Sequence, residues 1–180
     1  TILYNIIKFN KKKILNIILK YKKKIIGINL INLLDNNNNN SLVYCIYYNN
    51  YDMFIKLIKL GFSPYNINKY GNNCFHIAVN LKNYKILSYL IENYNDFIFL
   101  NKDNENYIYF LLSKKENQYI DMILEKKDTN LLLNSQEKSY GLSIIILLVI
   151  NKNINLLKKI LKLDINYNIT DFFGNTILHY

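Results

Sequence analysis

Two histidines and two cysteines are the residues of this 180-residue chain best suited to chemistry. His76 or His179 could act as a general base, and Cys45, Cys74 and His76 could be metal ligands. Two cysteines are, however, too few for a four-ligand zinc site or a disulfide framework, and the sequence has no glycine-rich phosphate loop. We therefore predict a chain that is not an enzyme, with no catalytic residue, metal site, cofactor or small-molecule substrate, in a reducing intracellular, cytoplasmic location.

Lysine supplies the whole positive charge, because the chain has a net charge of +10 and no arginine. Residues 1–34 contain eight lysines and no acidic residue, with one cluster at 11–13 and a second formed by Lys20, Lys22, Lys23 and Lys24. Such clusters can bind nucleic acid or an anionic membrane. Lysine lacks the planar fork with which arginine binds phosphates, and the clusters fall at opposite ends of a predicted helix. A nucleic-acid or membrane-surface adaptor is therefore an alternative function.

A fixed spacing organises the chain into units. The same kind of segment recurs every 33 residues, with six- and four-residue insertions after the first and fourth units; the segments start at Thr1, Asn40, Asn73, Asn106, Ser143 and Thr176. A constant period of this length is typical of a stacked repeat array. We expect one domain over residues 1–180, with loop insertions near 22–40 and 128–142. The chain ends inside a unit, so we also expect it to be part of a longer protein.

Each unit contains two short apolar patterns separated by a polar turn. In the unit from Asn73, residues 75–79 form the first pattern and residues 86–91 form the second, at helical spacing. Helices of about eight residues are unstable alone, so each must pack on its neighbours. Two positions before the anchors, a turn residue with positive φ is expected, and there the sequence has Gly71, Gly141, Gly174, Asn38 and Asn104.

These residues resemble the ankyrin repeat. Residues 174–179, Gly-Asn-Thr-Ile-Leu-His, match the family's Gly-x-Thr-Pro-Leu-His motif except at Ile177, and residues 71–76 match it more loosely. Residues 171–174 resemble the family's Asp-x-x-Gly turn. The asparagine-rich, arginine-free composition is similar to that of ankyrin-repeat proteins of large DNA viruses or protists with AT-rich genomes. The resemblance implies that His76 and His179 stabilise turns through hydrogen bonds.

The resemblance implies an all-α ankyrin-repeat solenoid of five complete helix-turn-helix units and the start of a sixth, with short or absent hairpins. The family has two small residues in the first helix, whereas this chain has bulkier pairs such as Leu111-Leu112 and Leu148-Val149. We expect this bulk to widen or twist the stack. Residues 36–40 are all asparagine and are predicted to form a mobile loop.

The family also implies where a partner would bind, on the concave face formed by the turn tips and the exposed flank of the first helices. We expect a protein–protein interaction module or scaffold that binds a host or regulatory protein. The targeting arm of a larger enzyme, or of a ubiquitin-ligase adaptor, is an alternative. The residues predicted to contact a protein partner are Tyr47, Tyr48, Lys69, Tyr70, Tyr140, Phe172 and Phe173.

Overall fold

The computed structural model describes residues 2–21, 33–94, 99–125, 133–163 and 165–180. The described residues form ten α-helices, a final 3-10 turn and one isolated antiparallel bridge, between Gln136 and Ser143. The helices are α1 (Ile2–Lys8), α2 (Lys12–Lys20), α3 (Ser41–Tyr47), α4 (Tyr51–Lys59), α5 (Cys74–Asn80), α6 (Tyr84–Asn93), α7 (Tyr107–Ser113), α8 (Asn117–Leu124), α9 (Ile144–Ile150) and α10 (Ile154–Ile160), and the 3-10 turn is Ile177–His179. The predicted all-α solenoid of helix pairs is confirmed.

The chain divides into two compact units, which are described separately. The first unit comprises residues Thr1–Leu87 and the second comprises Ser88–Tyr180, so the boundary falls inside α6. In the first unit, α3 packs against α1, α4 and α5. In the second unit, α9 packs against α7, α10 and the final 3-10 turn. Each short helix is thus supported by neighbours, as its length requires.

The repeat anchors are the residues that start the first helix of each repeat. The side chains of Asn40, Asn73, Asn106, Ser143 and Thr176 each accept a hydrogen bond from a backbone N–H two or three residues later. These groups satisfy donors that the helix itself leaves without a partner, so the anchors are N-caps. In the described residues, an N-cap therefore stands at each of the anchor positions from Asn40 to Thr176.

The turn between the two helices of each repeat also recurs at a fixed position. Nine residues after each anchor position the backbone has positive φ, at Asn10, Asn49, Lys82, Lys115 and Lys152. The next residue then caps the second helix in several units: Asn50 accepts from the Met53 N–H and Asn153 from the Leu156 N–H. Asparagine tolerates left-handed backbone and caps helices, so its abundance has a structural use here.

The core of each unit is formed by the predicted apolar positions. In the first unit Leu42, Phe54 and Phe75 are fully buried, and in the second unit Ile108, Leu111 and Leu148 are fully buried. Cys45 and Cys74 are buried free thiols of the first unit. Burial raises the pKa of both thiols, because the charged thiolate loses its hydration. They therefore behave as small apolar core residues.

Residues 36–40, which the composition predicted to be a mobile loop, have a defined hydrogen-bonded structure. These asparagines form a turn against Asp35, with Asn39 and Asn40 buried and Asn40 capping α3. A single residue type misleads here because asparagine serves equally well in turns, left-handed positions and caps. Of the predicted insertions near 22–40 and 128–142, residues 22–32 and 128–132 lie outside the described residues.

No helix among the described residues has the length and apolar character required to cross a membrane. Within the same residues, no group of three His, Cys, Asp or Glu side chains is arranged to hold a metal ion.

Candidate partner-binding surface

The tip of each repeat is built on one polar side chain. In the first unit the Asp35 carboxylate accepts hydrogen bonds from the N–H groups of Asn37 (2.7 Å) and Asn39 (2.8 Å). At the same repeat position, the side-chain amide oxygen of Asn68 accepts hydrogen bonds from the N–H groups of Tyr70 and Asn72. These side chains replace backbone partners and fix the turn. They also orient the exposed tip residues that follow them.

The second unit repeats this arrangement with three residue types. Asn101 accepts from two tip N–H groups, as does Asp171. Glu137 has a longer side chain and accepts from three, those of Ser139, Tyr140 and Leu142. Asp, Asn and Glu thus share one function, because each presents a carbonyl or carboxylate oxygen at the same place.

Neighbouring tips within one compact unit are connected by backbone hydrogen bonds. The Lys69 N–H donates to the carbonyl of Asn37 (2.8 Å) in the first unit. In the second unit the Phe172 N–H donates to the carbonyl of Tyr140 (2.9 Å). These bonds place Phe172 beside Tyr140. The side chains of these tips are therefore carried on a hydrogen-bonded backbone.

All seven predicted contact residues have exposed side chains. The aromatic ones range from 38% exposed at Tyr48 to 75% at Phe173. In the first unit, the ammonium of Lys69 lies 4.9 Å from the ring centroid of Tyr70. In the second unit, the Phe172 ring packs on Gly141, where an added Cβ would lie 2.5 Å from ring atom Cδ1. Exposure is compatible with partner binding, and the binding role of these residues remains a prediction.

A groove of about 550 Å³ lies beside Tyr47 and Tyr48 in the first unit, and we call it the tyrosine groove. The hydroxyls of Tyr4 and Tyr48 are 2.9 Å apart, and the Tyr44 hydroxyl donates to Asp35 at 2.5 Å. The groove is lined by Tyr4, Asp35, Asn37, Asn39, Tyr44, Tyr47 and Tyr48. Sequence reasoning identified Tyr47 and Tyr48 as contact residues but missed Tyr4, Asp35 and Tyr44.

One signal for the missed residues exists in the sequence. The tip carboxylate and a tyrosine nine residues later form a hydrogen-bonded pair twice, in Asp35–Tyr44 and in Asp171–Tyr180. Both tyrosines lie four residues after the repeat anchor. In the repeats whose tip acceptor is Asn68, Asn101 or Glu137, that position holds Ile77, Phe110 or Leu147. In this chain, therefore, an aspartate at the tip occurs together with a tyrosine that donates to it.

The tip carboxylates remain ionised at neutral pH. Burial by itself raises the pKa of Asp35, but hydrogen bonds from Tyr44, Asn39 and Asn37 outweigh it and lower that pKa. The same balance lowers the pKa of Glu137, and at Asp171 the pKa falls to about 2. Burial and the neighbouring carboxylate raise the pKa of Tyr44. The tyrosine groove therefore contains a fixed negative charge.

Acid is expected to destabilise the tips. Because the folded pKa values of Asp35, Glu137 and Asp171 are lowered, their stabilising effect is complete above the unfolded value of about 4. It is lost as pH falls towards about 2. Circular dichroism melts should show the melting temperature falling from pH 5 to pH 2. The melting temperature of a D35N/D171N double variant should fall less over the same pH range, since Asn68 and Asn101 hold equivalent turns without titrating. Equal acid loss in both proteins contradicts this assignment.

The two histidines have the turn-stabilising role that the resemblance implied. The His76 ring nitrogen Nδ1 accepts from the Asn73 N–H (3.4 Å), and His179 Nδ1 accepts from the Thr176 N–H (3.0 Å). Asn73 and Thr176 in turn cap the helices that begin after them. Each histidine thus contributes a hydrogen bond that stabilises the start of a helix. His76 is also buried, so it is not accessible to a substrate.

The N-terminal lysines have partly internal partners. Lys12 forms an ion pair with Asp52 (2.5 Å), and the ammonium groups of Lys8 and Lys11 lie 5.4 and 5.7 Å from the Phe9 ring centroid. Of the second predicted cluster, Lys20 is described and its ammonium lies 5.8 Å from the Tyr21 ring centroid, whereas residues 22–24 lie outside the described residues. In the described part, one of the three lysines at 11–13 is therefore neutralised by a neighbouring repeat.

Comparisons with known proteins agree with this architecture. The chain superposes with a TM-score of 0.79 on the crystal structure of the ankyrin repeat domain of Bcl-3, a member of the IkappaB protein family. The sequences are 17% identical, and the match covers 99% of this chain and 78% of that one. The ankyrin repeat protein EF0377 gives a TM-score of 0.76 at 18% identity, over 99% of this chain and 88% of its own. The fold is thus that of an ankyrin-repeat protein.

The sequence gives the same result. The chain is 26% identical over all 180 residues to a putative ankyrin repeat protein of Acanthamoeba polyphaga mimivirus, and it spans 23% of that protein's length. No family model matches the chain. The predicted resemblance to the ankyrin repeats of large DNA viruses is confirmed by this relative and by the fold.

Proposed function

We propose that the chain is a non-catalytic protein-interaction module, which binds a protein partner through its repeat tips and the adjoining flank of its first helices. This is the concave face of an ankyrin stack. The observation that carries the proposal is the set of exposed aromatic side chains on hydrogen-bonded tips. Aromatic residues are enriched among the side chains that dominate binding energy. A tip already fixed by Asp35 or Asp171 loses little conformational entropy when a partner binds.

Two variants test the proposal, one for each compact unit. The first replaces Tyr47, Tyr48 and Tyr70 by Ala, and the second replaces Tyr140, Phe172 and Phe173 by Ala. Partners captured by the wild-type chain should be measured for affinity against both. We expect a loss of tenfold or more for at least one variant, since truncating an interface anchor typically costs about 2 kcal/mol.

A matched control uses exposed apolar residues outside the tips. Ile17, Ile154 and Leu161 are 57%, 60% and 47% exposed and lie in or next to second helices. Their replacement by Ala should leave affinity unchanged. If both tip variants retain every partner at wild-type affinity, the tip surface is not the binding site. Loss in the control alone would transfer the site to the second helices.

The alternative of a nucleic-acid or membrane adaptor has less support. Lys12 is paired with Asp52, and Lys8 and Lys11 lie against Phe9. Counterion release, which drives binding to nucleic acid, requires several unpaired cations on one surface. A protein partner therefore remains the function that the described residues support best.

A further inference from the structure

The tyrosine groove combines four aromatic rings of the first unit. The ring centroids of Tyr4 and Tyr44 are 4.8 Å apart at an interplanar angle of 79°, and those of Tyr4 and Tyr48 are 6.0 Å apart at 64°. Tyr44 and Tyr47 are 6.1 Å apart at 42°. In each of these three pairs the rings are inclined to one another, so their faces point in different directions. Ring faces carry partial negative charge and attract cations.

Three of the four tyrosines lie in the repeat that starts at Asn40, and none of the other complete repeats has a tyrosine at these three positions. The repeat from Thr176 has Tyr180 at the position of Tyr44. Tyr44, Tyr47 and Tyr48 lie four, seven and eight residues after the anchor Asn40. The corresponding residues are Ile77, Asn80 and Leu81 after Asn73; Phe110, Ser113 and Lys114 after Asn106; and Leu147, Ile150 and Asn151 after Ser143. A general abundance of tyrosine would not concentrate the residue at one repeat. The cluster is therefore a local feature of the first unit.

The charge of the groove agrees with its aromatic lining. Among the described residues that line it, the only formal charge is the Asp35 carboxylate, in a chain whose net charge is +10. Its two oxygens accept from the Asn37 and Asn39 N–H groups, the Asn39 amide and the Tyr44 hydroxyl. These bonds hold the carboxylate in place, so it attracts a ligand through its field.

One cation of the chain already lies at the edge of this cluster. The Lys8 ammonium is 5.7 Å from the Tyr4 ring centroid, although Lys8 is not among the lining residues. The ring thus accepts a lysine ammonium at cation–π distance. Lys8 would also repel a second cation, so its charge should weaken binding of a basic ligand.

We propose that the tyrosine groove binds a basic side chain, lysine or arginine, of the protein partner. The inference rests on the proposed function and specifies the chemistry of the partner. The volume of about 550 Å³ accommodates a long side chain with flanking backbone. Exposed ring area is available at Tyr47 and Tyr48, which are 52% and 38% exposed.

The experiment titrates the whole chain with small probes and follows the tyrosine ring signals by NMR. The probes are Nα-acetyl-lysine methylamide, the uncharged analogue Nα-acetyl-norleucine methylamide, which lacks the ammonium group, and Nα-acetyl-glutamate methylamide. We expect the lysine probe to shift the ring signals of Tyr4, Tyr44, Tyr47 and Tyr48 with a millimolar Kd. The norleucine probe should bind about three- to fivefold more weakly or worse, because it lacks the cation.

Three substitutions sharpen the test. D35N removes the charge but can keep the turn, as Asn68 and Asn101 do, and should weaken the lysine probe about threefold or more. D171N makes the same change at the equivalent position of the second unit and should have no effect. K8Q removes the competing cation and should strengthen binding.

The proposal is overturned if the lysine and norleucine probes bind equally, if D35N and D171N behave alike, or if the glutamate probe binds best. It is also overturned if no probe shifts the four rings at up to about 50 mM, a concentration well above a millimolar Kd. These outcomes leave the protein-interaction function standing, since the tip variants test that separately. If the probes give one of these outcomes while the Tyr47/Tyr48/Tyr70 variant still loses its partner, the groove contacts the partner through a group other than a basic side chain.

Discussion

Replacing Phe75 by Ala is expected to lower the free energy of unfolding by about 3–5 kcal/mol. Phe75 is in the first turn of α5, fully buried, and its ring stacks on Tyr65 with centroids 6.2 Å apart. Truncation removes a large apolar surface from the core and leaves a cavity that the surrounding helices fill only partly. Short helices cannot compensate by shifting alone, because each depends on its neighbours. Urea unfolding followed by circular dichroism measures the loss.

The matched control is Phe9, which belongs to the same compact unit but is 58% exposed. Phe9→Ala removes the same atoms and loses only contacts such as those with the ammonium groups of Lys8 and Lys11. We expect a change below about 1 kcal/mol. A repeat protein can unfold in more than one step, so the comparison is made on the transition assigned to the first unit. Equal losses at Phe75 and Phe9 would contradict the core assignment.

The sequence was sufficient to predict the fold because the rules involved are local. N-caps, helical spacing and left-handed turns depend on residues within about five positions of one another. The predicted turn positions Asn38 and Asn104 have φ of 60° and 58°, and Gly71, Gly141 and Gly174 also have positive φ. The period then extends these local rules along the chain, so one well-matched unit predicts the others.

The tyrosine groove could not be predicted in the same way. Tyr4 and Tyr48 are 44 residues apart, and their contact depends on how α1 packs on α3. The repeat frame places both helices but not their side-chain orientations at the interface. The side chains that fix the tips could not be predicted for a different reason. Asp35, Asn68 and Glu137 have the same structural function, but they are three different residue types. A pattern defined by residue type does not detect a function defined by an acceptor oxygen.

Replacing Gly141 by Ala is expected to destabilise the second unit by about 1–2 kcal/mol, from two separable causes. Gly141 has φ of +72°, and a side chain in that conformation costs about 1 kcal/mol. The new Cβ would also lie 2.5–2.9 Å from three ring atoms of Phe172, so the ring must leave its position. Because Phe172 is 65% exposed, displacing its ring adds a smaller cost, up to about 1 kcal/mol.

Gly174→Ala separates the two causes. Gly174 has φ of +82°, but an added Cβ would have no atom within 4 Å, so the substitution introduces backbone strain alone. The difference between the two variants then measures the contact with Phe172. In the double variant G141A/F172A the clash is absent, so the extra cost of G141A over G174A should disappear when F172A is the reference. If G141A and G174A cost the same, Phe172 is not held on Gly141. In that case the tip offers a partner a mobile ring, and we would expect Phe172 to contribute less to affinity than Tyr140.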